Sequence, residues 1–116
     1  MGRKTWESLP IKPLPKRKNI ILSSKKQSTG ITYHSLPECL AKIKNNNEKK
    51  IFVIGGRSIY KLFFNLAHAL HITFIHLENK NVNEFFPISL NTIKKDFKQL
   101  DSQILNQNAT YTYWEK

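Results

Sequence analysis

A short apolar run that stops on two glycines, Ile51-Phe52-Val53-Ile54 followed by Gly55-Gly56, constrains this chain more than any other feature. Four consecutive apolar residues offer no polar face to water, so the run reads as a strand covered on both sides. Asn19-Ile20-Ile21-Leu22-Ser23 has the same character. Strands covered on both faces imply helical, right-handed crossovers between parallel neighbours, and ligands of such sheets gather at the carboxyl ends of the strands. Chemistry is therefore to be sought just after Leu22 and just after Ile54.

The remaining segments fit that alternation. Arg3 to Ser8 predicts a short helix halted at Leu9-Pro10, because a residue before proline avoids the helical region. Pro10, Pro13 and Pro15 then stiffen an extended connection. Lys25 to Gly30 reads as a polar loop and Ile31 to His34 as a second strand. Ser35-Leu36-Pro37-Glu38 has the form of a capping box, with Leu36, Cys39, Leu40 and Ile43 recurring at helical spacing behind it; Asn45 to Lys50 ends that helix. Ser58 to Asn65 predicts a helix with Ile59, Leu62 and Phe63 inward, and Leu70 to Leu77 a strand. Phe97 to Ile104 and Thr110 to Trp114 read as two late strands, paired antiparallel across a loop drawn from Asp101 to Asn108. The expected architecture is α/β: a mostly parallel, doubly wound central sheet with flanking helices and an antiparallel C-terminal strand, in one domain over residues 1–116.

Composition narrows the function classes. No stretch approaches the ~20 apolar residues of a membrane helix, and the first residues lack the apolar core of a secretory signal. One cysteine, Cys39, makes neither an internal disulfide nor a metal site by itself. These features favour a cytoplasmic protein with no metal and no membrane partner. The formal charge of +11 would suit a nucleic-acid face, but the excess is scattered lysine, with arginine only at Arg3, Arg17 and Arg57. Biased residue supply accounts for it as well, and a general attraction for anionic small molecules is the more modest functional reading. No nucleic-acid partner is expected.

Three segments suit anions. Gly55-Gly56-Arg57-Ser58-Ile59-Tyr60 carries a strand end into a helix; glycines let backbone approach a ligand closely, although a plain tight turn has the same pattern. Gly2-Arg3-Lys4-Thr5 places a glycine, two cations and a hydroxyl at another helix start. Ser23-Ser24-Lys25-Lys26 puts two hydroxyls and two cations after a strand. Each alone is equally a solvated face; together they suit one extended, multiply phosphorylated ligand. Arg17 follows the proline-rich connection and precedes a strand, where a guanidinium can fork onto a carboxylate in a geometry lysine does not reproduce. A surface arginine at a strand start is the plainer reading.

These residues resemble the dihydrofolate reductase family. Met1 to Ser8 is similar to its MGRxTWES segment, Pro13 to Ser23 to PLPGRxNIVLS, Ile54 to Tyr60 to IGGxxxY and Ile72 to Ile75 to LTxI. Phe85-Phe86-Pro87 and Tyr111 to Glu115 are similar to FFP and the closing strand. The resemblance implies reduction of 7,8-dihydrofolate by NADPH in one-carbon metabolism, by a protein that is a monomer when complete. It places Arg3, Lys4 and Thr5 at the cofactor phosphates and Ser23 and Ser24 at the 2′-phosphate, with His34 standing, as a departure, where some members carry a second cation for that phosphate. It lines the cofactor with Gly55, Gly56, Arg57, Ser58, Ile59, Tyr60 and Leu62, with a cis Gly55–Gly56 peptide. Leu14 would flank the substrate's aromatic ring and Arg17 hold its α-carboxylate. Ile54 and Tyr60 would border pterin and nicotinamide, and Thr73 would orient the substrate. Arg57-Ser58 departs from the pattern, since many members place the basic residue one position later.

The family's first strand, mobile loop and acid-bearing helix have no counterpart in these residues. Glu7, Glu38, Glu48 and Asp96 do not fall on matching positions, so no catalytic acid is assigned. The chain by itself is expected to be poorly folded and inactive. A decayed nucleotide- or partner-binding protein and a riboflavin-pathway reductase, which shares fold and cofactor, are the competing readings. The carboxylate clamp at Arg17 argues against the second, whose substrate carries a ribityl phosphate.

Overall fold

The computed structural model describes residues 1–46, 49–76 and 86–116, which form two compact units, Met1–Leu62 and Phe63–Lys116. Glu48, Leu77 and Phe85 lie outside the described residues.

The first unit begins with α1 (Arg3–Ser8), which stops where expected, Leu9 being extended before Pro10. β1 (Ile20–Leu22) and β2 (Ile31–Tyr33) pair in parallel, Ile20 opposite Ile31 and Leu22 opposite Tyr33. Backbone at residues 1–2 lies along β1: Leu22 N–H donates to the Met1 carbonyl at 2.8 Å, and Gly2 bridges Leu22 in parallel. The Gly2 N–H points elsewhere, to the Gly55 carbonyl at 2.8 Å, so this short piece links β1 to the double glycine.

Helix α2 (Leu36–Asn45) starts on Ser35, whose hydroxyl accepts the Glu38 N–H at 3.3 Å, with proline in its first turn. Glu38 reaches back one residue further than the box predicts and accepts the His34 N–H at 2.9 Å. α3 (Arg57–Phe63) follows the glycines. Trp6, Ile21, Cys39 and Ile59 are buried, each full burial being worth ~1.5–3 kcal/mol for a large apolar side chain.

The second unit holds a 3-10 turn (Phe64–Leu66), β3 (Ala69–Ile75), α4 (Leu90–Asp96), β4 (Lys98–Asn106) and β5 (Ala109–Glu115). Its sheet runs β3-β5-β4, antiparallel throughout, with β5 central. Alternate residues of β3 take opposite sides: Leu70, Ile72 and Phe74 pack on a core of Phe64, Ile93, Phe97 and Trp114, while His71, Thr73 and Ile75 are exposed. β4 is exposed along its whole length, and irregularities between Gln99 and Asp101 and between Ile104 and Asn106 break its ladder, as edge strands commonly do.

The α/β class and the late antiparallel pair are as expected, but the sheet differs in part. Residues 51–56 form no strand, and Ile51, Phe52 and Ile54 are exposed. A continuous apolar run reports a wish for cover, whereas a strand also needs a ladder of backbone hydrogen bonds to a neighbour, and residues 51–54 belong to neither sheet. The parallel neighbours reasoned for that run are therefore not formed, and among the described residues parallel pairing is seen in β1–β2 and at the Gly2–Leu22 bridge. Helix α4 was not anticipated; Ser89 caps it, its hydroxyl accepting the Thr92 N–H at 3.2 Å.

Candidate functional site

In the first unit the sequence places two glycines between the run 51–54 and α3. The Gly55–Gly56 peptide is cis, as the resemblance implied, and Gly55 has φ +117°, open to glycine and closed to most other residues. A methyl group on either glycine would lie 3.5 Å from the Thr5 hydroxyl oxygen, and on Gly55 also 3.5 Å from the Tyr60 ring and hydroxyl. The Gly56 carbonyl is used inside the fold, accepting the Tyr60 N–H at 2.9 Å. Burial raises the Tyr60 phenol above its ordinary value, keeping it a neutral donor. Ile59 is buried, and a methyl group on Gly2 would meet its Cγ1 at 3.2 Å. Thr5, Gly55, Gly56, Ile59 and Tyr60 are thus brought together by the starts of α1 and α3. The result is a narrow cradle of backbone with one hydroxyl over it.

The other residues expected around it are exposed: Arg3, Lys4, Ile54, Arg57, Ser58 and Leu62. Arg3 is engaged by Glu7, one turn on, at 3.0 Å. An exposed pair of this kind is worth at most ~1 kcal/mol and yields readily to a phosphate.

At the carboxyl end of β1 and β2, Ser23 and His34 meet. Ser23 N–H donates to the Tyr33 carbonyl at 3.0 Å, and His34 Nδ1 donates to the Ser23 carbonyl at 2.9 Å. A carbonyl only accepts, so Nδ1 carries a proton, and Nε2 of this exposed ring is the nitrogen left for a ligand. The Ser23 hydroxyl accepts the Lys25 N–H at 3.2 Å, which curls the following loop around it, and Ser24 is exposed. Gln27 closes that loop, its N–H on Thr32 Oγ1 at 3.0 Å and its amide on the Lys25 carbonyl at 2.9 Å.

Leu14 and Arg17 sit in the loop of residues 10–18, Leu14 half-buried and Arg17 exposed. This loop contains a cis Lys12–Pro13 peptide and turns at Lys16, with φ +62°. Arg17 Nε donates to the Pro15 carbonyl at 2.8 Å, which orients the plane of the guanidinium. Thr73 belongs to the second unit, on the exposed side of β3 opposite Tyr111. Sequence reasoning passed over Asn19, the polar residue at the head of an apolar run, which is buried and holds this loop from beneath. It stands two residues before buried Ile21, and nothing in that spacing announced the loop it holds.

The family model described as dihydrofolate reductase matches residues 1–115. The chain is 35% identical over 116 residues to the dihydrofolate reductase of Neisseria meningitidis serogroup A, covering 97% of this chain and 70% of that protein. It is 32% identical over 121 residues to the type 6 enzyme of Proteus mirabilis, covering 100% and 73%. With the enzyme of Buchnera aphidicola from Acyrthosiphon pisum it shares 42% over 80 residues, covering 67% and 48%. No helix among the described residues is long and apolar enough to cross a membrane. A match of this extent makes the chain a member of the dihydrofolate reductase family.

Proposed function

We propose that this protein binds NADPH and 7,8-dihydrofolate and serves the reduction of dihydrofolate to tetrahydrofolate in the cytoplasm. The carrying observation is the cradle at Gly55–Gly56, where a space that any side chain would fill lies directly beneath the Thr5 hydroxyl. Such a space fits the close approach of a pyrophosphate. Thr5 would donate to it, with Lys4 and a released Arg3 adding charge. When bound, NADPH supplies the hydride. Ser23, Ser24 and Nε2 of His34 are proposed to hold the 2′-phosphate, which separates NADPH from NADH. Arg57, Ser58, Ile59 and Leu62 would flank the cofactor chain, and Tyr60 and Ile54 the ring that reacts.

Leu14 and Arg17 are proposed to take the other end of the substrate, Leu14 against its benzoyl ring and Arg17 on its α-carboxylate. Thr73 is proposed to orient the pterin. The roles proposed for this chain are binding and orientation, which set how often the reacting atoms meet in line.

Titration of NADPH and NADH against the purified chain, read by tryptophan fluorescence, tests this. NADPH is expected to bind the more tightly, and Gly56→Ala to weaken it by roughly tenfold or more through blocked approach, with the melting temperature held. An added methyl there makes only ordinary contact with Thr5. Equal affinity for the two cofactors, or a silent Gly56→Ala, would sink the proposal.

A further inference from the structure

We infer that Asn19 is a positioning residue for the substrate's carboxylate, setting Leu14 and Arg17 at the spacing that the benzoyl-glutamate tail requires. The inference rests on the proposed roles of those two residues and adds what makes them a site.

Asn19 is 5% exposed. Its carboxamide spends every group on the loop above it. Oδ1 accepts the Leu14 N–H at 2.8 Å, and Nδ2 donates to the Leu14 carbonyl at 3.0 Å and to the Arg17 carbonyl at 3.0 Å. One planar side chain thereby pins both peptide groups of Leu14 and the one following Arg17. Its own carbonyl accepts the Ile31 N–H at 2.8 Å, which fastens the same residue to β2. The Arg17 guanidinium is then set by Pro15, whose carbonyl takes its Nε proton at 2.8 Å. The remaining guanidinium nitrogens are left to fork onto a carboxylate.

Without Asn19 the loop loses all three of these bonds to Leu14 and the Arg17 carbonyl. Proline restricts the local dihedrals at positions 13 and 15, but not the distance between the Leu14 side chain and the Arg17 fork. A displacement of about 1 Å is enough to lose most of the benefit of two preset contacts. The contribution of Asn19 therefore falls on ligands that carry both an aromatic ring and a carboxylate, and spares those that carry neither.

Dissociation constants for dihydrofolate, p-aminobenzoyl-L-glutamate and tail-less 6-methyl-7,8-dihydropterin are measured on the wild-type chain, Asn19→Ala, Asn19→Asp and Arg17→Leu. Asn19→Ala is expected to weaken the two tailed ligands by roughly tenfold or more and leave the tail-less pterin unchanged. Asn19→Asp keeps the acceptor for Leu14 N–H and loses both donors, so it is expected to fall between. Adding Arg17→Leu to Asn19→Ala is expected to cost little more than Arg17→Leu alone.

An Asn19→Ala variant that weakens all three ligands alike has a merely structural role, which overturns the inference. If Arg17→Leu separates tailed from tail-less ligands and Asn19→Ala does not, the inference fails while the role of Arg17 stands. If Arg17→Leu makes no such separation, both fail. Should Asn19→Ala not fold, amide exchange on the wild-type chain decides. The Leu14 amide is expected to be protected and to slow further with p-aminobenzoyl-L-glutamate but not with the tail-less pterin; exchange at the rate of an open loop overturns the inference.

Discussion

The indole N–H of Trp114 ends on the hydroxyl of Thr112 at 2.8 Å, and that hydroxyl passes its own proton to the Ile72 carbonyl at 2.8 Å. Two residues of the central strand β5 thus dispose of the polar atoms beneath the core of the second unit. Thr112 is 3% exposed, so water does not substitute for it. Thr112→Val keeps the shape and strands the indole N–H, at a cost of about 1–3 kcal/mol. Thr112→Ser keeps the hydroxyl and is expected to cost less. Urea denaturation followed by tryptophan fluorescence separates the two; a Thr112→Ser loss as large as that of Thr112→Val would show that the hydroxyl is not what this position contributes.

His34 and Ser23 give a prediction about cofactor choice. Since Nδ1 is committed to the Ser23 carbonyl, the imidazole meets a ligand through Nε2. In the imidazolium form Nε2 carries a proton as well and donates to a phosphate; His34→Ala removes that donor and frees the end of β1. NADPH binding is expected to weaken by roughly fivefold, about 1 kcal/mol for an exposed charge-assisted contact, while NADH is unaffected. Parallel titrations check it, and an equal loss for both cofactors would place His34 away from the 2′-phosphate.

How much of this was legible follows the range of the forces involved. α1, the Ser35 cap and the β4–β5 hairpin were readable because a proline, a hydroxyl and a pair of alternating strands act within a few residues. Residues 51–54 were misread because apolar content was taken for pairing, and pairing depends on a neighbour distant in sequence. Helix α4 went unnoticed since it buries chiefly Ile93, too little for a periodic signal over seven residues. In the site, Thr5 and the glycines were readable as residue types, whereas Asn19 was not. Its worth lies in three hydrogen bonds to a loop that folds back on it.

Gly30 is a test of packing in the first unit. It has φ +78°, and a methyl group there would come within 2.6 Å of Ile21 Cδ1, on a side chain with no exposure. Gly30→Ala therefore combines left-handed backbone with overpacking, and is expected to destabilise by about 1–3 kcal/mol. Gly2→Ala meets Ile59 at 3.2 Å and has ordinary backbone, so it is expected to cost less. A chemical-denaturation series with both variants checks the order; a neutral Gly30→Ala would contradict the packing around Ile21.

Alkaline pH reads out one buried and one half-buried acid in the same unit. Burial pushes the Cys39 thiol up, with Glu38 adding to the rise and the chain's amino terminus opposing it. Burial raises the Tyr60 phenol as well. An acid whose folded pKa lies above its unfolded value holds its proton more tightly in the folded state. The stability it contributes is complete below the unfolded value, about 8.5 for cysteine and about 10 for tyrosine, and is lost as pH climbs through the folded value. The urea midpoint is therefore expected to start falling above pH ~8.5 and to steepen above pH ~10. Cys39→Ala shifts the absolute midpoint by leaving a cavity, but it should remove only the first part of the slope, and Tyr60→Phe only the second. A buried thiol held protonated is also a poor nucleophile, so thiol-reactive dye should label Cys39 slowly in the native chain at pH 8 and rapidly in urea. Fast native labelling, or a midpoint that rises between pH 8.5 and 10, would show that Cys39 is not enclosed on the inner side of α2 as its burial requires.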